Sequence, residues 1–400
     1  MKYHIHTLGC KFNQYESAQI DEILRHSGYV RSSAEDADVI VINSCAVTGE
    51  ATRKSLQIAR HFQRKNPHSK IVFTGCVVHD RKIDGFDLIL GNGEKFRISK
   101  LIEKTGTFFN STYYLEDTLN CTIKEIPNHT RAFLNVENGC NWGCAYCAIP
   151  HFRGTRIRSK PYDVVVKEAY EMINSGVKEI VITGINIALY NDGNVDLHDL
   201  VKGILEIKGD FRIRLSSIDP LSAMSLLDLF EKPGLCHHLH LSVQSGSDTV
   251  LKRMKRQYTS QDILNVVRRF RSVDDLFAFS VDVIVAFPGE TESDFQQTYN
   301  LLKETRVSRV HIFPFSARPH TLALSMKDQV KNEVKRKRVK ILKVLADELS
   351  KKYLKKLEGT SQRILVERTE GSKIEGLDQY YVRHSIECDG KVGNFVECKI

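Results

Sequence analysis

The sequence predicts an α/β protein made of three successive parts, and three observations lead to this class. Apolar strand-like runs alternate with helical stretches over residues 3–103, and the alternation restarts after Arg131 in six longer units. The last stretch, residues 363–400, holds only short strand-like pieces separated by glycines. Hydrophobic residues make up 42% and charged residues 27% of the 400-residue chain, a balance that excludes collagen-like, coiled-coil and disordered classes.

The first part shows the strand–helix alternation of a parallel sheet. Strands are predicted at residues 3–8, 38–43, 70–74 and 88–90, and helices at residues 15–26, 51–64 and 96–103. Because short apolar strands joined by helices form sheets covered on both faces, we expect a parallel, Rossmann-like domain over residues 1–120. Residues 105–129 are polar and irregular, and they are predicted to connect this domain to the next.

The second part repeats the alternation six times. Strands are predicted at residues 132–137, 179–183, 212–216, 238–243, 279–285 and 310–315, with helices at residues 163–174, 221–230, 262–271 and 292–303. Six successive β-α units predict a barrel or partial barrel, here over residues 127–357. A basic helix, at about residues 328–357, is predicted to end this part.

The third part, residues 358–400, has only β character. Its strand-like pieces RILVE, YYVRH and NFVECKI are separated by Gly371, Gly376 and Gly390. Short strands between glycines predict a small β-barrel.

Composition restricts the environment and the partners. The longest apolar runs are of strand length, and the N-terminus lacks the apolar core of a secretory signal, so we expect a cytoplasmic protein without a membrane partner. The net charge of +9 is compatible with a nucleic-acid partner. Ten cysteines in a reducing compartment predict metal ligands or catalytic groups rather than structural disulfides.

Three cysteines lie within eight residues, directly after the first strand of the six-unit domain. Cys140, Cys144 and Cys147 form a C-x3-C-x2-C loop in ENGCNWGCAYC. Three thiolates can hold a [4Fe–4S] cluster and leave its fourth iron open to another ligand. The alternative is a zinc site with His151 as the fourth ligand. We weigh it lower because structural zinc usually pairs two cysteine knuckles, and the second knuckle is missing here.

Three other cysteines each follow a predicted strand of the first domain. Cys10, Cys45 and Cys76 lie 31 to 35 residues apart, in TLGC, INSC and TGC. Because the carboxyl ends of parallel strands meet at one edge of a sheet, this trio can hold a second cluster. Each cysteine taken singly fits a small buried residue that ends a strand, but the three matched positions favour ligands. The remaining cysteines receive no role: Cys121, Cys236, Cys388 and Cys398.

The motifs around both trios resemble a known family. GCNWGCAYCAIPHFRG is similar to the signature loop of the radical S-adenosylmethionine (SAM) superfamily, and LSVQSGSDTVLKRMKRQYT and DVIVAFPGETESDF resemble later motifs of that fold. TLGCKFNQYES, INSCAVTGEATRKS and TGCVV resemble the cysteine motifs of the methylthiotransferase family. The resemblance covers essentially the whole chain. It implies a methylthiotransferase N-terminal domain, a radical SAM (β/α)6 partial barrel and a TRAM-like, RNA-binding C-terminal domain.

The resemblance implies two [4Fe–4S] clusters and SAM as cofactors. The cluster at Cys140, Cys144 and Cys147 would chelate SAM and, once reduced by an external electron donor, generate a 5′-deoxyadenosyl radical. The auxiliary cluster at Cys10, Cys45 and Cys76 would supply or carry sulfur. SAM contacts are expected in the loop or at strand ends, where ordinary loop residues are the alternative. They are Tyr146, Thr183, Gly184, Asn186, Ser216, Ser217 and Gln244.

The resemblance also implies a reaction. GCKFNQYES, CAVTGEATRKS and HIFPFSARPHT are most similar to the branch that adds a methylthio group to C2 of N6-threonylcarbamoyladenosine. The modified base would be position 37, in the anticodon stem-loop of tRNA, and we expect a monomeric enzyme. The alternative substrate is N6-isopentenyladenosine at the same position. A different class, a non-catalytic RNA-binding iron–sulfur redox protein, would not cleave SAM.

Basic residues near the signature loop and on the last long helix are the predicted tRNA contacts. Phosphate binding needs only positive charge, and a solvated basic face is the alternative for each run. The predicted contacts are Arg153, Arg156 and Arg158, followed by Lys160, and on the helix Lys335, Arg336, Lys337 and Arg338.

Overall fold

The computed structural model describes residues 1–110, 122–123 and 130–400. Within these residues the chain forms a six-stranded parallel sheet, a partial barrel of parallel strands and a four-stranded antiparallel sheet. The α/β class and the three successive architectures are therefore confirmed. The limits of the three domains stay predictions. Cys121 and most of the predicted connection lie outside the described residues.

The N-terminal sheet has all its strands parallel, in the order β2-β1-β3-β4-β5-β6. The strands are β1 (Lys2–Thr7), β2 (Val30–Arg31), β3 (Val39–Ser44), β4 (Lys70–Gly75), β5 (Leu88–Leu90) and β6 (Gly106–Phe108). The helices are α1 (Lys11–His26), α2 (Gly49–Lys65), α3 (Cys76–Asp80) and α4 (Ile98–Leu101). Alternate residues of β3 pack on opposite faces, against α1 and α4 on one side and α2 and α3 on the other.

The four predicted strands of this sheet are confirmed, and two short edge strands were missed. β2 has two residues and β6 has three, which is too short to show a periodic pattern. β6 lies inside the stretch predicted to be irregular, so that prediction is wrong for Gly106–Phe108. The predicted helix at residues 96–103 is a 3-10 turn (Glu94–Arg97) followed by α4.

The partial barrel has its six predicted strands, each within one residue of the predicted limits. The parallel strands are β7 (Arg131–Asn138), β9 (Glu179–Gly184), β12 (Arg212–Leu215), β14 (His238–Gln244), β15 (Ala278–Val285) and β16 (Arg309–Pro314). Shorter strands are β8 (Arg158–Ser159), β10 (Asn191–Asp192), β11 (Val195–Asp196) and β13 (Ser217–Ile218). One group pairs as β12-β9-β7-β8 and the other as β13-β14-β15-β16. A parallel bridge between Ile213 and Leu235 joins the two groups.

Helices connect these strands, and all but α5, which packs against the N-terminal domain, belong to the barrel part of the chain. They are α5 (Ile149–Arg153), α6 (Tyr162–Asn174), α7 (Leu197–Leu205), α8 (Pro220–Met224), α9 (Asp248–Arg253), α10 (Ser260–Val273), α11 (Glu292–Thr305) and α12 (Asn332–Leu357). The helix predicted at residues 221–230 is wrong, because α8 stops at Met224 and a separate 3-10 turn follows. The Ser225 hydroxyl donates to the Ser222 carbonyl, a local bond that competes with helix continuation.

The last helix and the C-terminal sheet complete the chain. α12 begins at Asn332 and not near residue 328, because Asp328 has a φ of 63°, which a helix cannot contain. The sheet pairs antiparallel in the order β19-β18-β17-β20. Its strands are β17 (Ser361–Glu370), β18 (Lys373–Leu377), β19 (Arg383–Glu387) and β20 (Phe395–Lys399). A disulfide between Cys388 and Cys398 joins the two edge strands, so the sheet is strongly curled. The expectation of no structural disulfide is wrong for this pair.

The C-terminal sheet packs at the amino ends of the barrel strands. Arg212, the first residue of β12, donates to the carbonyls of Arg363 and Leu377 at 2.7 and 2.8 Å. The Arg214 guanidinium donates to the Asp378 carbonyl at 2.9 Å. The carboxyl ends of the barrel strands are therefore on the side away from the C-terminal sheet. Within the described residues no helix is both long and apolar enough to cross a membrane.

Candidate active site

The signature cysteines lie in the loop between β7 and α5, at the carboxyl end of the barrel. Gly139 opens this loop with a φ of 102°, and a Cβ there would lie 2.2 Å from the Arg156 carbonyl oxygen. Only glycine fits such a backbone and such an approach. The Ala145 amide donates to the Met254 carbonyl at 3.0 Å, which fixes the loop to the end of α9. Contacts within the protein therefore hold the loop in a defined position.

Two side chains, one that follows α9 and one that follows β9, reach the sulfur atoms. The Arg256 guanidinium donates to Cys144 Sγ at 3.3 Å, and its plane stacks on Trp142, 4.9 Å from the ring centre. Asn186 Nδ2 lies 4.0 Å from Cys140 Sγ. Burial raises the pKa of the Cys140 thiol, so its thiolate needs a nearby cation such as a metal centre. Arg256 was missed by the sequence analysis.

The geometry contradicts the zinc alternative. Tetrahedral zinc with Zn–S bonds of about 2.3 Å brings its ligand sulfurs within roughly 4 Å of one another. Among the described residues, neither cysteine trio has all three sulfur atoms within 4.8 Å of one another. The proposed fourth ligand, His151, has Nε2 3.0 Å from the His79 carbonyl oxygen, and its ring stacks on His320. Neither trio therefore has the compact arrangement of three sulfurs around one zinc ion.

The second trio lies at the carboxyl edge of the N-terminal sheet, as predicted. Cys10 follows β1 and caps α1, Cys45 follows β3, and Cys76 is the first residue of α3 after β4. β1, β3 and β4 are adjacent, so these positions share one edge. Gly9 has a φ of 102°, and a Cβ there would lie 2.8 Å from Cys45 Sγ. Burial, together with Cys76 and Cys10, raises the pKa of the Cys45 thiol to about 12.

One buried arginine joins the two cysteine regions. Arg153 ends α5, six residues after Cys147, and only 1% of it is exposed. Its Nη2 donates to Asn13 at 3.0 Å and to Glu16 at 2.9 Å, both on the first turns of α1 behind Cys10. Cys76 and Cys10 are among the groups that raise the Arg153 pKa, which places its charge close to both thiols. The two trios therefore lie in one continuous region.

The structure corrects three of the basic residues expected at the RNA interface. Arg153 is buried against Glu16, and Arg338 is buried against Glu290 at 2.6 Å. Lys160 is fully buried, 3.0 Å from the Tyr15 hydroxyl, and pairs with Glu168. A cation enclosed by protein and paired to a buried carboxylate cannot reach a phosphate. Arg156, Lys337 and Arg336 are exposed, whereas Arg158 and Lys335 are half-buried.

The residues expected to contact SAM lie around the signature loop at strand ends. Thr183 and Gly184 end β9, Gln244 ends β14 with a φ of 62°, and Ser216 is buried beyond β12. Ser217 is exposed. Tyr146 is partly buried in the small cluster formed with Val250, Met254 and Phe287.

Glu137 is a buried acid at this edge that the sequence analysis missed. Its Oε2 accepts from the Asn186 amide at 2.7 Å, whereas its Oε1 has no hydrogen-bond partner among the described residues. Asn138 Oδ1 and Asp219 Oδ2 are also buried without a partner in the described chain. Burial raises the pKa of Glu137 to about 8. The unpartnered Oε1 of Glu137, on the same carboxyl group that holds the Asn186 amide, is available to an amino or hydroxyl group of a bound ligand such as SAM.

Comparison with known proteins identifies the family. The Radical SAM superfamily matches residues 134–302, and the uncharacterized protein family UPF0004 matches residues 2–88. The threonylcarbamoyladenosine tRNA methylthiotransferase MtaB of Thermotoga maritima is 39% identical over 99% of this chain and 93% of its own length. The chain belongs to the radical SAM methylthiotransferase family. As a member of this superfamily, the methylthiotransferase uses SAM and a [4Fe–4S] cluster.

Two further similarities place this methylthiotransferase within the family and its fold. The tRNA-2-methylthio-N(6)-dimethylallyladenosine synthase of Clostridium botulinum is 33% identical over 92% of this chain and 86% of its own length. The radical SAM methyltransferase TsrM of Kitasatospora setae, solved with cobalamin and a [4Fe–4S] cluster, superposes with a TM-score of 0.60. Its identity is 13%, over 80% of this chain and 76% of TsrM, so the likeness concerns the fold alone.

Proposed function

We propose that this methylthiotransferase adds a methylthio group to C2 of N6-threonylcarbamoyladenosine at position 37 of tRNA. The observation that carries the proposal is the 39% identity to a threonylcarbamoyladenosine tRNA methylthiotransferase along nearly the full length of both chains. The two cysteine trios at one continuous region support it, because the reaction needs both a radical source and a sulfur source near one carbon.

The roles of the cysteines follow from their positions. Cys140, Cys144 and Cys147 would hold the cluster that binds SAM, and Cys10, Cys45 and Cys76 would hold a second [4Fe–4S] cluster. When bound, these cofactors supply a carbon-centred radical and the transferred sulfur. Three cysteines at each position leave one iron without a protein ligand, as an exchangeable ligand requires. The three thiolate donors of each trio therefore support its assignment to a [4Fe–4S] cluster.

The chain's own residues would orient the cofactor and tune the cluster region. Glu137 holds the Asn186 amide and offers its free Oε1 to an amino donor. Arg256 donates to Cys144 Sγ and places a permanent positive charge beside the thiolates. Thr183, Gly184, Ser216, Ser217, Gln244 and Tyr146 remain predicted SAM contacts around this edge.

The tRNA would approach the carboxyl ends of the barrel strands. Of the predicted contacts, the proposal keeps Arg156 and Arg158 near the loop and Lys335, Arg336 and Lys337 on α12. An anticodon loop offers an unstacked base at small cost, which suits a reaction on the base edge. An external electron donor, a monomeric state and a cytoplasmic location stay predictions.

The isopentenyladenosine alternative rests on the 33% identity to the Clostridium botulinum synthase, which is lower than the 39% identity to the threonylcarbamoyladenosine enzyme. Mass spectrometry of tRNA nucleosides separates the two substrates. We expect expression of this chain in cells that lack the modification to produce the 2-methylthio form of threonylcarbamoyladenosine alone. A 2-methylthio isopentenyl product would favour the alternative. The absence of SAM cleavage would favour a non-catalytic iron–sulfur protein.

A further inference from the structure

A row of arginines lies along the exposed face of α2, in the N-terminal domain. Arg53, Arg60 and Arg64 lie seven and four residues apart, with Gln57 between them, so they share one side of the helix. Together with Arg81 at the end of α3, they line a groove of about 660 Å³. The sequence analysis did not identify this row, although its helical spacing is visible in the sequence.

Among the described residues, the arginines of this row have no intramolecular counterion. Within the described part of the chain, no carboxylate lies within 4.0 Å of the guanidinium groups of Arg53, Arg60 or Arg64. Arg81 lies 3.4 Å from Asp80, but Asp80 also accepts from Arg318 at 2.7 Å. Like charges that converge on one groove without acids repel one another, and a polyanionic ligand would relieve that repulsion.

The helix dipole does not account for the row. Arg64 lies in the last turn of α2, where the dipole favours a cation. Arg53 lies near the start of the same helix, where the dipole favours an anion instead. The helix dipole therefore explains a cation at Arg64 but not at Arg53 or Arg60.

The groove begins beside the cysteine region. α2 starts four residues after Cys45, and a Cβ at Gly49 would lie 3.5 Å from Arg318 Nη1. Arg318 follows β16, the last strand of the barrel, and its Nη2 donates to Thr52 at 3.2 Å. The inner end of the groove is thus at the junction of the two domains, on the side of their carboxyl strand ends.

We propose that this α2 groove binds backbone phosphates of the same tRNA whose base is modified, which makes the N-terminal domain part of the RNA-binding surface. The inference rests on the proposed function. The eleven residue steps from Arg53 to Arg64 extend about 16.5 Å at roughly 1.5 Å per residue, which suits several consecutive phosphates along one strand. One guanidinium group can bind two phosphate oxygens at once. Such contacts fix the position of the protein along the RNA strand without reading the base sequence.

The test compares a groove variant with a matched control in the cluster-loaded enzyme. The groove variant carries Arg53→Gln, Arg60→Gln and Arg64→Gln. The control carries Arg97→Gln, Lys100→Gln and Lys202→Gln, exposed cations away from the groove, so both lose three charges. Dissociation constants for a threonylcarbamoyladenosine-containing tRNA are measured by fluorescence anisotropy from 50 to 300 mM KCl. Iron content and SAM cleavage without tRNA check that each variant is intact.

We expect the groove variant to bind tRNA at least about tenfold more weakly at 150 mM salt, with a slope of log Kd against log salt lower by about two to three. The control should change the slope by less than one, and both variants should cleave SAM as the unmodified chain does. A groove variant that matches the control in affinity and slope would overturn the inference. An acidic protein would then be the better ligand for the α2 groove. The proposed function would still stand if the unmodified chain modified the tRNA. Failure of the unmodified chain to methylthiolate the tRNA would instead count against the proposed function.

Discussion

Arg153 is a fully buried cation at the contact between the two cysteine regions. Its guanidinium is enclosed by Glu16 and Asn13 from α1 and stacks on Phe12, 4.6 Å from the ring centre. Glu16 in turn pairs with buried Lys95 at 2.5 Å. Each of these three buried charges has lost its hydration and depends on the others for compensation. Removal of one therefore leaves an uncompensated charge in the interior.

We therefore expect Arg153→Met to destabilise the protein strongly. Removing one partner of a buried pair typically costs about 3–5 kcal/mol, because the remaining charge stays buried. The apparent Tm of the metal-free protein, followed by circular dichroism, should fall by about 10 °C. Arg97→Met, at an exposed position in the N-terminal domain, is the matched control and should shift the Tm by less than about 2 °C. Equal shifts would mean that the Arg153 pair contributes nothing to the fold.

Glu137 gives the fold a pH dependence of definite sign. Its pKa is raised to about 8 by burial, above the value of about 4.3 in an unfolded chain. An acid whose pKa is raised in the folded state stabilises the fold fully at pH values below its unfolded pKa. That stabilisation is lost as the pH rises through the folded pKa. The Tm of the metal-free protein should therefore decline between pH 5 and pH 8. Glu137→Gln should flatten this decline, whereas Glu206→Gln, an exposed control, should keep it. An unchanged slope in the Glu137 variant would show that this carboxyl is charged in the fold.

Each of the two cysteine trios should be required for a different activity, and mutation should separate the two activities. Replacing Cys140, Cys144 and Cys147 by alanine should leave about four irons per chain after anaerobic reconstitution and abolish SAM cleavage. Replacing Cys10, Cys45 and Cys76 should also leave about four irons but retain SAM cleavage and lose thiolation of tRNA. Iron analysis and chromatography of 5′-deoxyadenosine measure the two effects. SAM cleavage by the first variant would contradict the assignment of its cluster.

At the scale of elements, the strand ends were the predictable feature. Apolar runs predicted the long strands of the parallel sheet and of the barrel, and the rule that carboxyl ends share an edge grouped Cys10, Cys45 and Cys76. Helix limits were less predictable where one residue decided them. Asp328 in a left-handed conformation delays α12, and the Ser225–Ser222 bond contributes to the early end of α8. Such local geometry has no periodic signature in the sequence.

Contacts between elements distant in sequence were not predictable at all. The basic run after the signature loop looks uniform, yet Arg153 and Lys160 are buried while Arg156 is exposed. Their burial depends on α1, which packs against β7 and brings Glu16 and Tyr15 to them. Charge alone predicted a phosphate contact for each, because a sequence does not show which cation will meet a buried acid.

At the scale of the whole molecule, the long helix α12 spans the barrel from one end to the other. Near its start, Lys335 Nζ donates to the Phe315 carbonyl at 2.8 Å, just beyond the carboxyl end of β16. Near its end, Lys356 Nζ donates to the Asp275 carbonyl at 2.6 Å, before the amino end of β15. The first turns of α12 therefore lie on the side of the cysteine loops, and the last turns lie at the opposite end.

This placement makes a prediction that depends on position along one helix. Neutralising the exposed cations Arg336, Lys337 and Lys340 should weaken tRNA binding and lower its salt slope by about two to three, because these residues lie near the end where the base must enter. Neutralising Lys351, Lys352 and Lys355, exposed at the far end, removes the same charge and should change the slope by less than one. In both variants, the preference for threonylcarbamoyl- over isopentenyl-modified tRNA should persist, because phosphate contacts position the RNA without reading the base substituent. Anisotropy titrations with both tRNAs measure slope and preference together. Equal losses from both ends would mean that α12 acts only through net charge, and the RNA would then have to be positioned by Arg156 and the N-terminal domain.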